Sequence, residues 1–148
     1  IGEIRSGEAI DLLQDMNTGH GGSMGTIHAN SPLDTLLRLE TLALFSGIDL
    51  PIKAIRAQIS SAIHIIVQTS RFNDGSRKVT HISEILPLKD DGNYCIQDIF
   101  KYCQKGIRPD GRIYGDLGPT GVIPEFLKEI EFSGYNLPSD IFKREKNL

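Results

Sequence analysis

The spacing of apolar residues changes once along this chain, and that change limits the folds open to it. Between residues 9 and 62 the apolar positions recur every three or four residues, which is the period of an amphipathic helix. From residue 63 to residue 85, β-branched residues and a loose alternation replace that period. The pattern predicts several helices followed by paired strands, within one chain of mixed α and β structure.

Start and stop signals divide the helical part into three helices. Gly19 ends the first, and Ser31 followed by Pro32 is a typical start for the second. Gly47 ends the second helix, and Pro51 opens the third. The predicted helices cover residues 9–16, 32–46 and 52–62.

Strands are predicted on both sides of these helices. Residues 1–4 and 23–28 are two short ones, and residues 63–69 and 78–85 form a hairpin around the turn signal Asn73-Asp74-Gly75. Residues 86–92, which contain a proline and an Asp-Asp-Gly turn, read as a linker or turn after the hairpin. We therefore predict a first domain over 1–86 and a small α+β appendage over 87–148. In the appendage we expect a strand or short amphipathic element at 95–103, a strand at 112–116 and a helix at 124–132.

Charge and hydropathy exclude some functions. The formal net charge is −3, so the basic surface that nucleic-acid binding requires is missing. No apolar run reaches the roughly 18 residues of a membrane span, and no signal peptide is visible. We expect a cytoplasmic protein that meets membranes only through partners. Because the chain starts at Ile1, we also expect it to be part of a longer protein.

Glu3 and Arg5 are the first candidate site residues. Glu3 follows an apolar strand, where open α/β sheets place their ligands, and a carboxylate there can orient a water for attack on a phosphate. Arg5 lies two residues further on, so it shares a side of an extended chain with Glu3. A surface ion pair is the alternative interpretation.

His20 and His28 border a glycine-rich turn and a short strand. Imidazoles can donate hydrogen bonds to phosphate oxygens, and glycines let the backbone approach a ligand closely. A zinc site would need ligand spacings that are not found here, and two structural histidines remain the alternative. For His64 and His81 we expect structural roles, and Arg71 and Arg77 flank either a solvated turn or an interface.

The two cysteines, Cys95 and Cys103, are expected to be reduced thiols packed as small apolar residues. The 148-residue sequence does not contain a Gly-x-x-x-x-Gly-Lys-Ser/Thr phosphate loop. The Gly-rich stretch 19–25 lacks the lysine, and Gly118-Pro119-Thr120-Gly121 imitates only the start of such a loop.

Two motifs resemble the type II/type IV secretion ATPase superfamily. Residues 2–9, Gly-Glu-Ile-Arg-Ser-Gly-Glu-Ala, resemble its Walker B segment, and residues 17–30 resemble its His box. Further segments are similar to the branch that serves tight-adherence (Flp-type) pili. They are Arg38-Leu39-Glu40-Thr41, the helix over 54–59, Ser70–Arg77 and the stretches 120–126 and 137–142.

The resemblance implies a fold and a set of roles. The fold would be the C-terminal half of a RecA-like α/β ATPase domain, without Walker A, followed by the appendage. Glu3 would be the catalytic Walker B glutamate, Arg5 an organiser of the site, and His20 and His28 the paired histidines, with His28 near the γ-phosphate. Glu3 and His28 would contact ATP. Mg²⁺ would arrive with the ATP, and Glu3 is its one candidate protein ligand.

The resemblance also implies partners and a location. The working form would be a homo-hexamer at the inner membrane that acts on a platform protein and drives pilus assembly or protein export. The chain alone would be inactive because the phosphate loop is absent. Two alternatives are a truncated paralogue that acts only as an interaction module, and a nucleic-acid translocase, which the balanced charge disfavours.

Overall fold

A computed structural model describes residues 2–19 and 22–144 of the chain. The elements follow the order of three helices, four strands and a short final helix. The helices are α1 (Glu8–Asn17), α2 (Pro32–Leu44), α3 (Ile52–Ala62) and α4 (Leu127–Phe132), and the strands are β1 (Ile65–Arg71), β2 (Arg77–Leu86), β3 (Cys95–Ile107) and β4 (Ile113–Pro119). A 3₁₀ turn covers Ser139–Phe142. Of the helices in the described part of the chain, none combines the length and apolarity needed to cross a bilayer.

The chain forms two compact units. The first contains residues 1–65 and 85–96, and the second contains residues 66–84 and 97–148. The units are defined by spatial packing, and each draws on two stretches of sequence. The predicted sequence boundary between residues 86 and 87 stays a prediction.

Three helices build the first unit, and all three predicted helices are confirmed with small changes at their ends. The Ser31 hydroxyl accepts a hydrogen bond from the Asp34 amide at 3.1 Å, so the predicted cap of α2 is present. The helices pack on one another in pairs through their apolar faces. The largest fully buried side chains of this core are Leu13, Leu36, Ile55 and Ile59.

Residues 1–4 and 23–28 differ from their prediction as strands. Their described residues have no regular secondary structure, although the Ile4 amide donates to the Thr26 carbonyl at 2.8 Å. A strand requires a ladder of successive bonds to a neighbour, and these two segments are not among the strands of the sheet. They nevertheless run close to each other in the first unit.

The four strands form one sheet in the order β1-β2-β3-β4, and most of their residues belong to the second unit. The predicted hairpin is confirmed, and Gly75 supplies the positive φ of its turn, at 82°. β3 and β4 pair antiparallel, with a bulge between Gln104 and Gly106. A Cβ atom on Gly115 would lie 2.2 Å from the Cys103 carbonyl oxygen, so only glycine fits at that point of the sheet. The observed fold is therefore helices with an antiparallel sheet.

The second unit has its own small core. Ile99 of β3 packs with Leu127 and Phe142, and Phe100 and Phe126 cover this cluster. The C-terminal segment is thus held against the sheet by aromatic and aliphatic contacts.

Glu84 of β2 adds a polar anchor to that packing. Its side chain is buried, and one carboxylate oxygen accepts from the Phe126 amide at 2.9 Å. The other oxygen accepts from the Glu125 amide at 3.0 Å and from the Gln97 side-chain amide at 2.5 Å. A buried carboxylate needs such donors, and these fix the start of α4 to the sheet.

Asp74 ties the β1–β2 hairpin to β4. One carboxylate oxygen accepts from the Ser76 hydroxyl at 2.6 Å, and the other accepts from the Ile113 amide at 2.7 Å. The Ser76 hydroxyl and the amides of Ile113 and Ser76 lower the pKa of Asp74 to about 2. The ionised form therefore holds the hairpin in place.

Replacing Glu84 should destabilise the second unit. Glu84→Gln keeps one acceptor but turns an amide group toward the backbone N–H donors, so we expect a loss of about 1–3 kcal/mol in the free energy of unfolding. Urea unfolding followed by circular dichroism measures the change. The exposed Glu129→Gln on α4 is the control, expected within about 0.5 kcal/mol of wild type. An unchanged stability for Glu84→Gln would contradict the anchoring role.

The contribution of Asp74 should depend on pH in one direction. Its pKa is depressed from the ordinary 3.8 to about 2 in the folded chain, so its stabilising effect is complete above about pH 4 and is lost as the pH falls toward 2. We expect Asp74→Asn to be less stable than wild type at pH 5–7, with the difference shrinking below pH 4. Unfolding midpoints across that range test this. Asp90→Asn, in an exposed turn, is the control substitution.

Candidate functional site

Glu3 lies at the centre of a group of charged side chains in the first unit. Its Oε1 atom is 3.0 Å from Nε2 of His28. Its Oε2 atom accepts from Nε of Arg5 at 2.7 Å and also from Nη2 of the same guanidinium. The carboxylate therefore lies between a histidine and an arginine, with one oxygen on each.

Two helices follow this site directly. Residues 2–5 lead into α1, and His28 precedes the cap of α2 by three residues. Glu8, at the start of α1, accepts from the Arg5 amide at 2.7 Å and the Ser6 amide at 3.0 Å. These bonds lower the pKa of Glu8 and fix the turn between Glu3 and α1. The side chains of the site thus stand on short segments held by packed helices.

The two segments approach closely because of their small residues. The Ile4 amide donates to the Thr26 carbonyl, and the Thr26 hydroxyl donates to the Gly2 carbonyl. A Cβ atom on Gly25 would lie 3.3 Å from Cδ1 of Ile4, so glycine allows the segments to come together.

Exposure differs among the three charged groups. Glu3 has 24% of its side chain exposed, whereas Arg5 has 75% and His28 has 84%. The hydrogen bond from Arg5 lowers the pKa of Glu3, and the nearby charges of Arg5, His28 and Arg38 act in the same direction. The same contact raises the pKa of Arg5. At neutral pH a partly covered carboxylate therefore lies beneath two solvent-accessible nitrogen donors.

Such a group can perform two chemical tasks. A carboxylate can orient a water molecule and accept its proton, and an arginine and a histidine can donate to phosphate oxygens. In residues 2–19 and 22–144 no group of three or more His, Cys, Asp or Glu side chains is arranged to hold a metal ion. The exposed nitrogen donors of Arg5 and His28 suit an anion.

The structure brings together three of the four predicted site residues. Glu3, Arg5 and His28 are in direct contact, and their catalytic roles stay predictions. His20 lies outside the described residues. The remaining predicted positions lie elsewhere in the chain, with His64 just before β1 and His81 on β2, where its Nδ1 atom is 3.1 Å from the Thr80 hydroxyl. Cys95 and Cys103, both on β3, are free thiols. Cys95 is half-buried and Cys103 is exposed, so the prediction that they pack as small buried apolar residues is wrong.

Sequence reasoning did not anticipate a second cluster, formed by Glu40, Arg56 and Tyr94. Glu40 is buried on α2 and accepts from Nε of Arg56 on α3 at 2.9 Å. The Arg56 guanidinium also donates to the Gly92 carbonyl at 3.4 Å and lies 5.9 Å from the centre of the Tyr94 ring. The one sequence signal was an acidic residue on the apolar face of a predicted helix.

Tyr94 is an unusual member of this cluster. Burial raises the pKa of its hydroxyl, and the neighbouring Glu40 carboxylate raises it further. Within the part of the chain that is described, the hydroxyl has no hydrogen-bond partner of ordinary geometry, although Glu40 is close enough to act on it. The cluster joins α2, α3 and residues 92–94.

Comparison with known protein families shows what the chain is similar to. The family described as "Type II/IV secretion system protein" matches residues 1–99 of the 148. That range includes Glu3, Arg5, His28 and the buried cluster.

Curated relatives are similar over the same part of the chain. A conjugal transfer protein of Mycobacterium tuberculosis is 36% identical over 83 residues, which is 56% of this chain and 23% of the relative. The conjugal transfer protein TrbB of Rhizobium radiobacter is 39% identical over 84 residues, 55% of this chain and 25% of the relative. The type IV secretion system protein VirB11 of Bartonella quintana is 39% identical over 82 residues, which is 54% of this chain and 23% of the relative. The chain thus spans about a quarter of the length of these relatives.

A methyl group at Gly25 should disturb the meeting of the two segments. The added Cβ would lie 3.3 Å from Cδ1 of the buried Ile4, closer than an ordinary van der Waals contact, so Gly25→Ala should lower the free energy of unfolding by about 1–3 kcal/mol. It should also speed hydrogen exchange of the Ile4 amide. Gly118→Ala is the matched control, because no atom lies within 4 Å of its Cβ position. Equal exchange rates in the two variants would show that Gly25 is not needed for the close approach.

Proposed function

Because the chain belongs to the type II/IV secretion system protein family, we propose that it carries half of an ATP-hydrolysing site that powers protein secretion or pilus assembly. The relatives are conjugal transfer and type IV secretion proteins. The activity, the substrates and the partners of the whole protein are parts of this proposal.

The proposal rests on the contacts of the Glu3 carboxylate with His28 and Arg5. The Glu3 carboxylate lies 3.0 Å from His28 and 2.7 Å from Arg5, although His28 is 25 positions away along the chain. The two segments that resemble a Walker B segment and a His box are therefore adjacent in space. This arrangement supports a catalytic site more than an incidental surface ion pair, since three chemically matched side chains converge on it.

Each side chain then has a role. Glu3 orients the attacking water and accepts its proton, which requires the ionised form that Arg5 favours. His28 and Arg5 are exposed enough to turn toward a phosphate and donate to its oxygens as negative charge develops. His20 would be a second histidine of the same site, and its role rests on the motif alone.

The residues fit the phosphate end of ATP. Two nitrogen donors face solvent above one carboxylate, which matches an anionic group and a water beside it. Mg²⁺ bound to the nucleotide would neutralise phosphate charge, and Glu3 is the one candidate ligand that this site offers it. The described residues would thus complete a nucleotide site whose phosphate grip comes from another segment.

The segment that would bind the phosphates of ATP is missing from the 148 residues. A phosphate loop normally supplies the backbone amides and the lysine that hold the β- and γ-phosphates. We therefore propose that this chain by itself neither binds ATP tightly nor hydrolyses it. In the full-length protein the fold would be RecA-like, with these residues forming its C-terminal half.

The proposal extends to the assembly. The working form would be a homo-hexamer with ATP between subunits, in the cytoplasm at the inner membrane. ATP hydrolysis would move the subunits, and that movement would act on a platform protein in the membrane. Within the family, the motifs at residues 70–77 and 120–126 favour the branch that serves tight-adherence pili.

Replacing Glu3 with glutamine tests the central role. In the full-length protein, Glu3→Gln should lower ATP turnover by about 10²–10⁴-fold, because the amide cannot accept the proton of the water. ATP binding should be retained, since the phosphate grip lies elsewhere. Phosphate release at saturating ATP and equilibrium binding of ATP measure the two properties.

Glu131→Gln, on the exposed surface of α4, is the control and should behave as wild type. Wild-type turnover by Glu3→Gln would remove Glu3 from catalysis. That result would favour the alternative of an interaction module, for which the carboxylate has no chemical task.

A further inference from the structure

One residue holds the backbone on both sides of Glu3. The carbonyl of Thr26 accepts from the amide of Ile4 at 2.8 Å, which fixes the residue after Glu3. The hydroxyl of Thr26 donates to the carbonyl of Gly2, which fixes the residue before it. The Glu3 backbone is therefore held at two points by a single threonine.

The hydroxyl contact matters because of what lies at its other end. Gly2 is exposed, and apart from its chain neighbours no described residue places an atom within 4 Å of the position that a Cβ would take there. Glycine has more backbone freedom than any other residue. The Thr26 hydroxyl therefore limits the direction in which the chain enters Glu3.

The same threonine sets the position of the histidine. His28 follows Thr26 by two residues, and its Nε2 atom lies 3.0 Å from Oε1 of Glu3. A shift of the Thr26 segment relative to residues 2–4 would move the imidazole away from the carboxylate. Misplacement of catalytic groups by about 1 Å can cost on the order of 100-fold in rate.

We propose that Thr26 is a positioning residue for Glu3, acting through hydrogen bonds to the backbone of Gly2 and Ile4. It touches neither substrate nor reacting atoms, and the inference rests on the proposed ATPase function. The hydroxyl, and not only the backbone of Thr26, is required.

Two substitutions separate the hydroxyl from the bulk of the side chain. Thr26→Val keeps the shape and the backbone carbonyl but removes the donor, and Thr26→Ser keeps the donor. In the full-length protein, Thr26→Val should lower kcat by about 10–100-fold while the KM for ATP stays within about threefold of wild type. Thr26→Ser should restore kcat to within about threefold. Thr26→Ala, which also lacks the donor, repeats the measurement in a smaller side chain.

A second readout does not depend on activity. Hydrogen exchange of a peptide covering residues 1–8, followed by mass spectrometry, should be faster in Thr26→Val and normal in Thr26→Ser. Thr41→Val is the matched control, since its hydroxyl also donates to a backbone carbonyl, that of Leu37 at 3.1 Å within α2. It should change neither kcat nor the exchange of this peptide.

The outcomes separate this inference from the proposed function. If Glu3→Gln abolishes turnover while Thr26→Val and Thr26→Ala keep wild-type kcat, the positioning role is wrong and the ATPase proposal stands. If Thr26→Ser fails to restore kcat, or if Thr26→Val raises KM as much as it lowers kcat, the hydroxyl is not the cause and the inference is again overturned. If Glu3→Gln keeps full turnover, the proposed function fails and this inference fails with it.

Discussion

The candidate site depends on the backbone contact between Ile4 and Thr26. These residues are 22 positions apart, and the whole of α1 lies between them in sequence. Their hydrogen bond places the start of the chain beside the segment that leads to α2. That pairing brings Glu3 and His28 together, whereas the Glu3–Arg5 pair forms within residues 2–5 themselves.

Helix packing stabilises this contact. Residues 2–5 and 25–28 each precede a helix whose apolar face is buried against the other two. The Arg56–Glu40 pair joins α2 and α3, and because Glu40 is buried, its carboxylate without a partner would be costly. Polar groups at the surface are thus carried by elements that packing holds rigid, which is how precise sites are generally built.

The sequence was sufficient for those features that depend on local chemistry. Ser31 and Pro32 marked the start of α2, and Asn73-Asp74-Gly75 marked the hairpin, because caps and turns use neighbouring residues only. The joint role of Glu3 and His28 came from resemblance, since spacing alone did not exclude a Glu3–Arg5 surface ion pair and a structural His28. The amides that hold Glu84, the carbonyl beneath Arg56 and the Gly2 carbonyl beneath Thr26 could not be predicted. Any residue type offers such backbone groups, so only the folded chain reveals which ones meet.

The two oxygens of Glu84 have a consequence for how the molecule can be divided. The donors at Glu125 and Phe126 come from a stretch that begins 41 positions further along the chain. A truncated form ending before residue 124 would lose both backbone donors to this buried carboxylate, with Gln97 as its remaining described donor. The sheet and the C-terminal segment therefore form a single folding unit, and any engineered boundary between them would need a neutral residue at position 84.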